Sequence, residues 1–264
     1  MTPIDLVVDG MRLNAVESGT GDPLILCHGW GACVPFWKET IPPLAAKHRV
    51  IAFDWPGFGT SDSVGPFTIE RYVSLLGKIM DALGLRAATI VGHSMGGAIA
   101  TAFALAHPER VARLVQVCAP IDGATAFPWY IVLASWPIIR WLVFLFGKIR
   151  WIRRVSARIF TSTVPMFAEV IDLAGRIPYA AIVGTVRSMR STRLPVARLA
   201  VPTHAIVGGR DRVVRPAQAE LQRATPGITI TPFPDCGHCP PVECPPDFVC
   251  DVEAFLAPSR VATP

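Results

Sequence analysis

Charge is scarce in this sequence. Charged residues make up 17% of the 264 positions and hydrophobic residues 51%. That balance excludes a highly charged disordered chain and points to a globular one able to bury a sizeable core. Acidic residues are scarcest between Ile121 and Arg198, where three stand against eleven Lys and Arg, a net +8. The remainder carries 14 Lys and Arg against 17 Asp and Glu, so the overall +5 belongs to one segment. Its cations alternate with Trp, Phe and Ile, which argues against nucleic acid and for a membrane surface or an apolar ligand. The seven cysteines are odd in number and irregularly spaced, which argues against a disulfide framework and for a reducing compartment. Met1-Thr2-Pro3-Ile4-Asp5 has neither a basic nor an apolar leader region, so no secretory signal is expected. A cytoplasmic location, with peripheral membrane contact, is the expectation. There is no internal repeat or low-complexity tract, and Ser259–Pro264 lack the periodicity of an ordered element.

What is present is an alternation. Leu6-Val7-Val8 and Leu13-Asn14-Ala15-Val16, split by Asp9-Gly10, predict a hairpin. Leu24–Cys27, Val50–Phe53, Ala88–Val91 and Leu114–Val117 predict strands covered on both faces, and Ala205–Val207 and Ile228–Ile230 continue the series. Between them Thr68–Leu83, Met95–Ala106, Pro216–Ala224 and Pro246–Leu256 have helical spacing. Strand and helix in turn predict an α/β fold with a mostly parallel sheet. The alternation lapses over residues 121–198, predicted as a helical cap inserted into a core formed by residues 1–120 and 199–264.

One motif carries chemistry. Gly92-His93-Ser94-Met95-Gly96 closes a predicted strand and opens a predicted helix, the context of a Gly-x-Ser-x-Gly nucleophile elbow. The glycines let strand and helix pass closely while the turn presents Ser94 Oγ at the positive end of the helix. A serine needs a base, and of six histidines His238, in a loop after the last strand, fits best. The acid that holds the base is expected after an upstream strand, at Asp211 in Gly208-Gly209-Arg210-Asp211, with Asp122 as rival. Two backbone N–H groups should face the developing oxyanion: Met95, directly after the serine, and Trp30 in His28-Gly29-Trp30-Gly31.

These segments, with Asp54-Trp55-Pro56-Gly57-Phe58-Gly59 and His107-Pro108-Glu109-Arg110-Val111, resemble the α/β-hydrolase superfamily over nearly the whole chain outside the insertion. Serine at the nucleophile position argues against the dehalogenases and epoxide hydrolases of that superfamily, which carry Asp there. The resemblance is to cofactor-free esterases, with monoacylglycerol-lipase-like and meta-cleavage C–C hydrolase relatives. It implies a serine ester hydrolase acting on a small-molecule apolar acyl or aryl ester, needing no cofactor. The alternatives are a serine C–C hydrolase, or a ligand receptor on a hydrolase scaffold.

Trp129–Phe146 is nearly all apolar, broken by Ser135, Pro137 and Arg140. A membrane span here would put Ser94 and the Asp211/His238 pair on opposite sides of the bilayer, so a cap roofing the site is the better reading. Trp129, Trp136 and Phe144 are then candidates for its substrate-facing wall. Lys148, Arg150, Arg153, Arg154 and Arg158, with Trp151 and Ile152 among them, read either as an interfacial helix or as a solvated face. Arg187 and Arg190 are surface residues or partners for a substrate carboxylate. Cys236, Cys239, Cys244 and Cys250 have metal-like spacing, but a zinc-bound His238 could not act as a base, so oxidation-sensitive thiols are expected there instead.

Overall fold

Eight apolar runs form eight strands in the computed structural model, which describes residues 1–134 and 136–257. The tail Ser259–Pro264 lies outside the described residues. The strands are β1 (Thr2–Val8), β2 (Met11–Ser18), β3 (Asp22–Cys27), β4 (His48–Phe53), β5 (Ala88–His93), β6 (Val111–Val117), β7 (Thr203–Gly208) and β8 (Ile228–Phe233). They make one sheet in the order β1-β2-β4-β3-β5-β6-β7-β8. β1 and β2 pair antiparallel, as do β2 and β4, while every pair from β4 to β8 is parallel. The β1–β2 hairpin turns at Asp9-Gly10, both at positive φ, as a two-residue turn matched to strand twist requires.

Strand alternation sorts the core into two layers. Ile25 and Cys27 face one layer and Leu24 and Leu26 the other. The first layer packs under α2 (Ile69–Ala82) and α3 (Met95–Ala106) through Leu76, Ile79, Ile99 and Phe103. The second holds Trp37 and packs under α1 (Ile41–Leu44) and, later in the chain, α11 (Pro245–Leu256), which contributes Phe248 and Val252. α2 begins where its Thr68 hydroxyl accepts the Arg71 N–H at 3.3 Å.

Among the described residues five α-helices lie in the chain between β6 and β7, which pair directly. They are α4 (Trp129–Ala134), α5 (Pro137–Phe146), α6 (Arg150–Ser156), α7 (Ala168–Ala174) and α8 (Tyr179–Ser191). The chain then resumes with α9 (Ala217–Arg223), between β7 and β8, and α10 (Pro240–Glu243). A buried polar relay ties three core elements: Gln222 Nε2 donates to Gln116 Oε1 and Gln116 Nε2 to Thr101 Oγ1, each at 2.7 Å. Such a chain holds α9, β6 and α3 in register because each amide would otherwise be buried without a partner.

α3 crosses the sheet closely enough that glycine is mandatory. A Cβ on Gly96 would lie 2.2 Å from the Cys27 carbonyl oxygen and 2.6 Å from that of His28, both backbone atoms. Gly96→Ala is therefore expected to destabilise the protein by about 2–3 kcal/mol. That is a drop of roughly 5–10 °C in Tm by calorimetry; an unchanged Tm would show that α3 can retreat freely.

Candidate active site

Ser94 stands between β5 and α3 at φ 51°, ψ −117°, a left-handed conformation that costs a non-glycine residue about 1–3 kcal/mol. Its neighbours hold it there: the Ser94 N–H donates to the Val117 carbonyl at 2.8 Å, and its own carbonyl accepts the Ala98 N–H at 3.0 Å. Glycines on both sides make the turn fit, since a Cβ at Gly92 would strike Gly96 and Gly97 at 2.5–2.6 Å. The hydroxyl faces His238: Oγ lies 2.9 Å from Nε2, and Nδ1 of the same ring lies 2.8 Å from Asp211 Oδ2.

The proton placement follows from Asp211. Its Oδ1 accepts the backbone N–H groups of Val213 (2.7 Å) and Val214 (2.9 Å), which leaves Oδ2 to accept Nδ1–H of His238. Nε2 is then the lone-pair nitrogen, aimed at the serine hydroxyl. His238 is buried and its backbone is pinned at both ends. Its N–H donates to the Phe160 carbonyl at 3.0 Å, and its carbonyl accepts Nε2–H of His93 at 2.8 Å.

The structure thus brings together Ser94, His238 and Asp211, which the sequence placed in three separate loops. Asp122 lies elsewhere, paired with Arg193 at 3.5 Å, and Asp235 pairs with Arg210. The His28–Gly31 loop lies against the elbow, since a Cβ on Gly29 would come within 3.0 Å of Ser94 Cβ. His28 fixes this loop as a neutral ring: Nδ1–H donates to the Gly29 carbonyl at 2.8 Å and Nε2 accepts the Trp55 N–H at 3.0 Å. Met95 opens α3, so its N–H is one of the donors that a helix start leaves unpaired. Among the described residues neither the Met95 nor the Trp30 N–H has an acceptor.

Three expectations change. Trp129, on α4, and Trp136, at the bend between α4 and α5, are 75% and 59% exposed and cannot wall an enclosed pocket. Phe144 is half-buried but packs on Tyr179, with the Lys148 ammonium 4.5 Å from its ring centre. The insertion residue that does meet the base is Phe160, its ring centre 6.2 Å from that of His238. The cysteines also differ: Cys236 and Cys244 form a disulfide across the His238 loop, because the loop folds back and brings two residues eight apart together. Cys239 is a buried free thiol pushed well above its ordinary range, first by desolvation and then by the Glu243 and Asp211 charges. Cys118 Sγ approaches the Asp211 and His238 ligand atoms to within 4.8 Å. Burial and the Asp211 charge push that thiol up as well, which disfavours the thiolate a metal would need.

Sequence reasoning missed Glu243. Its Oε2 accepts the N–H groups of Ser162 (2.7 Å) and Gly237 (3.0 Å) and the Ser162 hydroxyl (2.9 Å), and Oε1 accepts the Cys239 N–H at 3.1 Å. One carboxylate thereby fastens the insertion to the loop that carries His238. The only available signal was a carboxylate five residues after the histidine, which does not reveal that donors from residues 162 and 163 converge on it.

The chain is similar in sequence and in fold to known proteins. The family model for the alpha/beta hydrolase fold matches residues 22–137. A 2-hydroxymuconate semialdehyde hydrolase of Pseudomonas putida is 33% identical over 96% of this chain and 93% of its own length. The chain belongs to the α/β-hydrolase superfamily. Among solved structures, this hydrolase superposes on a bacterial membrane phospholipase A with a TM-score of 0.81, at 25% identity over 97% of this chain and 85% of the other. It also superposes on the meta-cleavage product hydrolase of Pseudomonas fluorescens IP01, with a TM-score of 0.74 at 27% identity over 96% and 97% of the two chains.

Two buried histidines of this hydrolase set a pH dependence. His28 and His93 are both held below the ordinary 6.5, first by desolvation, and for His93 next by the positive charge that His238 can carry. The folded protein keeps them neutral, while the unfolded chain protonates them as pH falls through about 6.5. Stability should therefore be flat with respect to these groups above that pH and decline below it, by up to about 1.4 kcal/mol per pH unit for each histidine. Urea midpoints at pH 7.5, 6 and 5 measure the slope. His93→Gln should make it shallower; an identical slope would remove His93 from the linkage.

Proposed function

We propose that the protein is a serine ester hydrolase for apolar acyl or aryl esters, working through an acyl-enzyme intermediate. The observation that carries this reading is the continuous relay from Asp211 through His238 to Ser94, at 2.8 and 2.9 Å, with two backbone N–H groups that have no acceptor among the described residues. Ser94 Oγ attacks the ester carbonyl as Nε2 of His238 takes its proton. The carbonyl oxygen becomes an oxyanion held by the N–H groups of Met95 and Trp30. Asp211 stabilises the imidazolium and keeps its ring oriented. The imidazolium then gives its proton to the leaving alcohol. A water, deprotonated by His238, releases the acid and restores Ser94. Phe160 beside the base supports an apolar acyl or aryl group in the substrate.

The second reading is cleavage of a C–C bond in a vinylogous diketone, favoured by the 33% identity to the Pseudomonas putida hydrolase. A substrate of that kind carries a carboxylate, and Arg187 and Arg190, the cations considered for it, are exposed. The ester reading is the better supported for that reason.

A panel of p-nitrophenyl esters of graded chain length tests the proposal. Wild type should hydrolyse medium-chain or aryl esters, and Ser94→Ala should lose at least about 10³-fold in kcat/KM. Turnover of a 2-hydroxy-6-oxo-dienoate with no ester turnover would replace the proposal by the C–C reading, and turnover of neither by a binding role. Glu243→Ala should lower kcat by roughly tenfold or more while KM changes less, because the base is displaced rather than the binding surface. Equal losses in Glu243→Gln and Glu243→Ala would assign the effect to the carboxylate charge; recovery in Glu243→Gln would assign it to the oxygen acceptors.

A further inference from the structure

The helix α5 is amphipathic the wrong way round. Ile138, Trp141, Leu142, Leu145 and Phe146 recur at i, i+3, i+4, i+7 and i+8, the spacing of a core-facing stripe, yet all five are exposed, Ile138 at 77%. The neighbouring helices extend the patch: Trp129 and Leu133 of α4 are exposed, and so are Trp151, at 66%, and Val155 of α6. Soluble surfaces rarely leave so much contiguous apolar area uncovered, so the patch marks an interaction surface.

Cations border it. Lys148, Arg150, Arg154 and Arg158 are exposed on or beside α6. Arg150 is committed to Asp172 through two bonds of 2.7 Å, and Lys148 to the Gly175 carbonyl. Arg154 and Arg158 form no ion pair with a described residue. The whole insertion carries eleven cations and three anions. Exposed tryptophans among leucines and isoleucines, with arginines at the edge, are the composition of an element that lies in the headgroup layer. No helix of the described residues is long and apolar enough to cross a membrane, so the contact would be peripheral.

We propose that α4, α5 and α6 form a docking surface for an anionic lipid bilayer, their apolar stripe entering the headgroup–acyl boundary and Arg154 and Arg158 meeting lipid phosphates. A second copy of the chain is the disfavoured occupant, because a two-fold contact through this face would set one cationic α6 region against another. This inference stands independently of the hydrolase reading, since it concerns exposed side chains that take no part in the chemistry proposed for Ser94, His238 and Asp211.

The test is co-sedimentation of the full-length protein with large vesicles of phosphatidylglycerol and phosphatidylcholine in equal parts, beside vesicles of phosphatidylcholine alone, followed by intrinsic tryptophan fluorescence. The protein is expected to partition to the anionic vesicles with a blue shift, and at least about tenfold more weakly to the neutral ones. Arg154→Glu with Arg158→Glu should abolish the preference for anionic lipid. Trp141→Ser with Trp151→Ser should lose binding to both while keeping the wild-type far-ultraviolet circular dichroism, Tm and turnover of a soluble ester. Failure to bind either vesicle overturns the proposal. So does wild-type binding by the double tryptophan variant, or a stable dimer in sedimentation equilibrium that the same variant converts to monomer.

Discussion

Ser94 occupies a backbone conformation that an isolated peptide would abandon, and much of the surrounding structure is what keeps it there. The strain is held by β6, whose Val117 carbonyl takes the serine N–H, and by α3, whose first internal bond uses the serine carbonyl. Those two anchors work only if strand and helix approach within the distance that Gly92, Gly96 and Gly97 permit. The close approach in turn places the His28–Gly31 loop beside the elbow, where the neutral His28 ring bridges Gly29 and Trp55. A conformation costing about 1–3 kcal/mol thus orders the sheet centre, the start of a helix and a loop from the other side of the chain.

The base is held by different means. His238 sits in a loop with no regular structure, and its position is set by bonds to distant segments: Phe160 from the insertion, His93 from the elbow and Asp211 from the end of β7. Glu243 gathers donors from both the insertion and the His238 loop, so the two must move together or break a part-buried charge-assisted cluster. The Cys236–Cys244 bond closes the same loop. The insertion is therefore mechanically part of the machinery that holds the imidazole, even though it interrupts the sheet sequence between β6 and β7.

The insertion also inverts the usual rule of burial. The eight strands and the helices α2, α3 and α11 bury their apolar residues as their periodicity demands. The same periodicity in α5 points to solvent. Hydrophobic spacing specifies that a helix has an apolar face; what that face meets depends on where the chain sets the helix.

Much of this protein was legible in its sequence. Period-two and continuous apolar runs marked all eight strands, because a strand buried on both faces tolerates little else. The glycines around Ser94 marked the elbow, because no other residue fits there. Position in the loops after predicted strands pointed to His238 and to Asp211, with Asp122 as rival, and the structure brings Asp211 and His238 to 2.8 Å of each other. Only the tertiary structure decided the rest. Trp129, Trp136 and Phe144 looked like a pocket wall, yet helix orientation in an insertion depends on contacts with residues far away in the chain. Phe160, Glu243 and the Cys236–Cys244 pair carried no local signal, since a carbonyl, a carboxylate or a thiol acquires its partner only when separate loops converge. Local periodicity and backbone sterics are written along the chain, and long-range convergence is not.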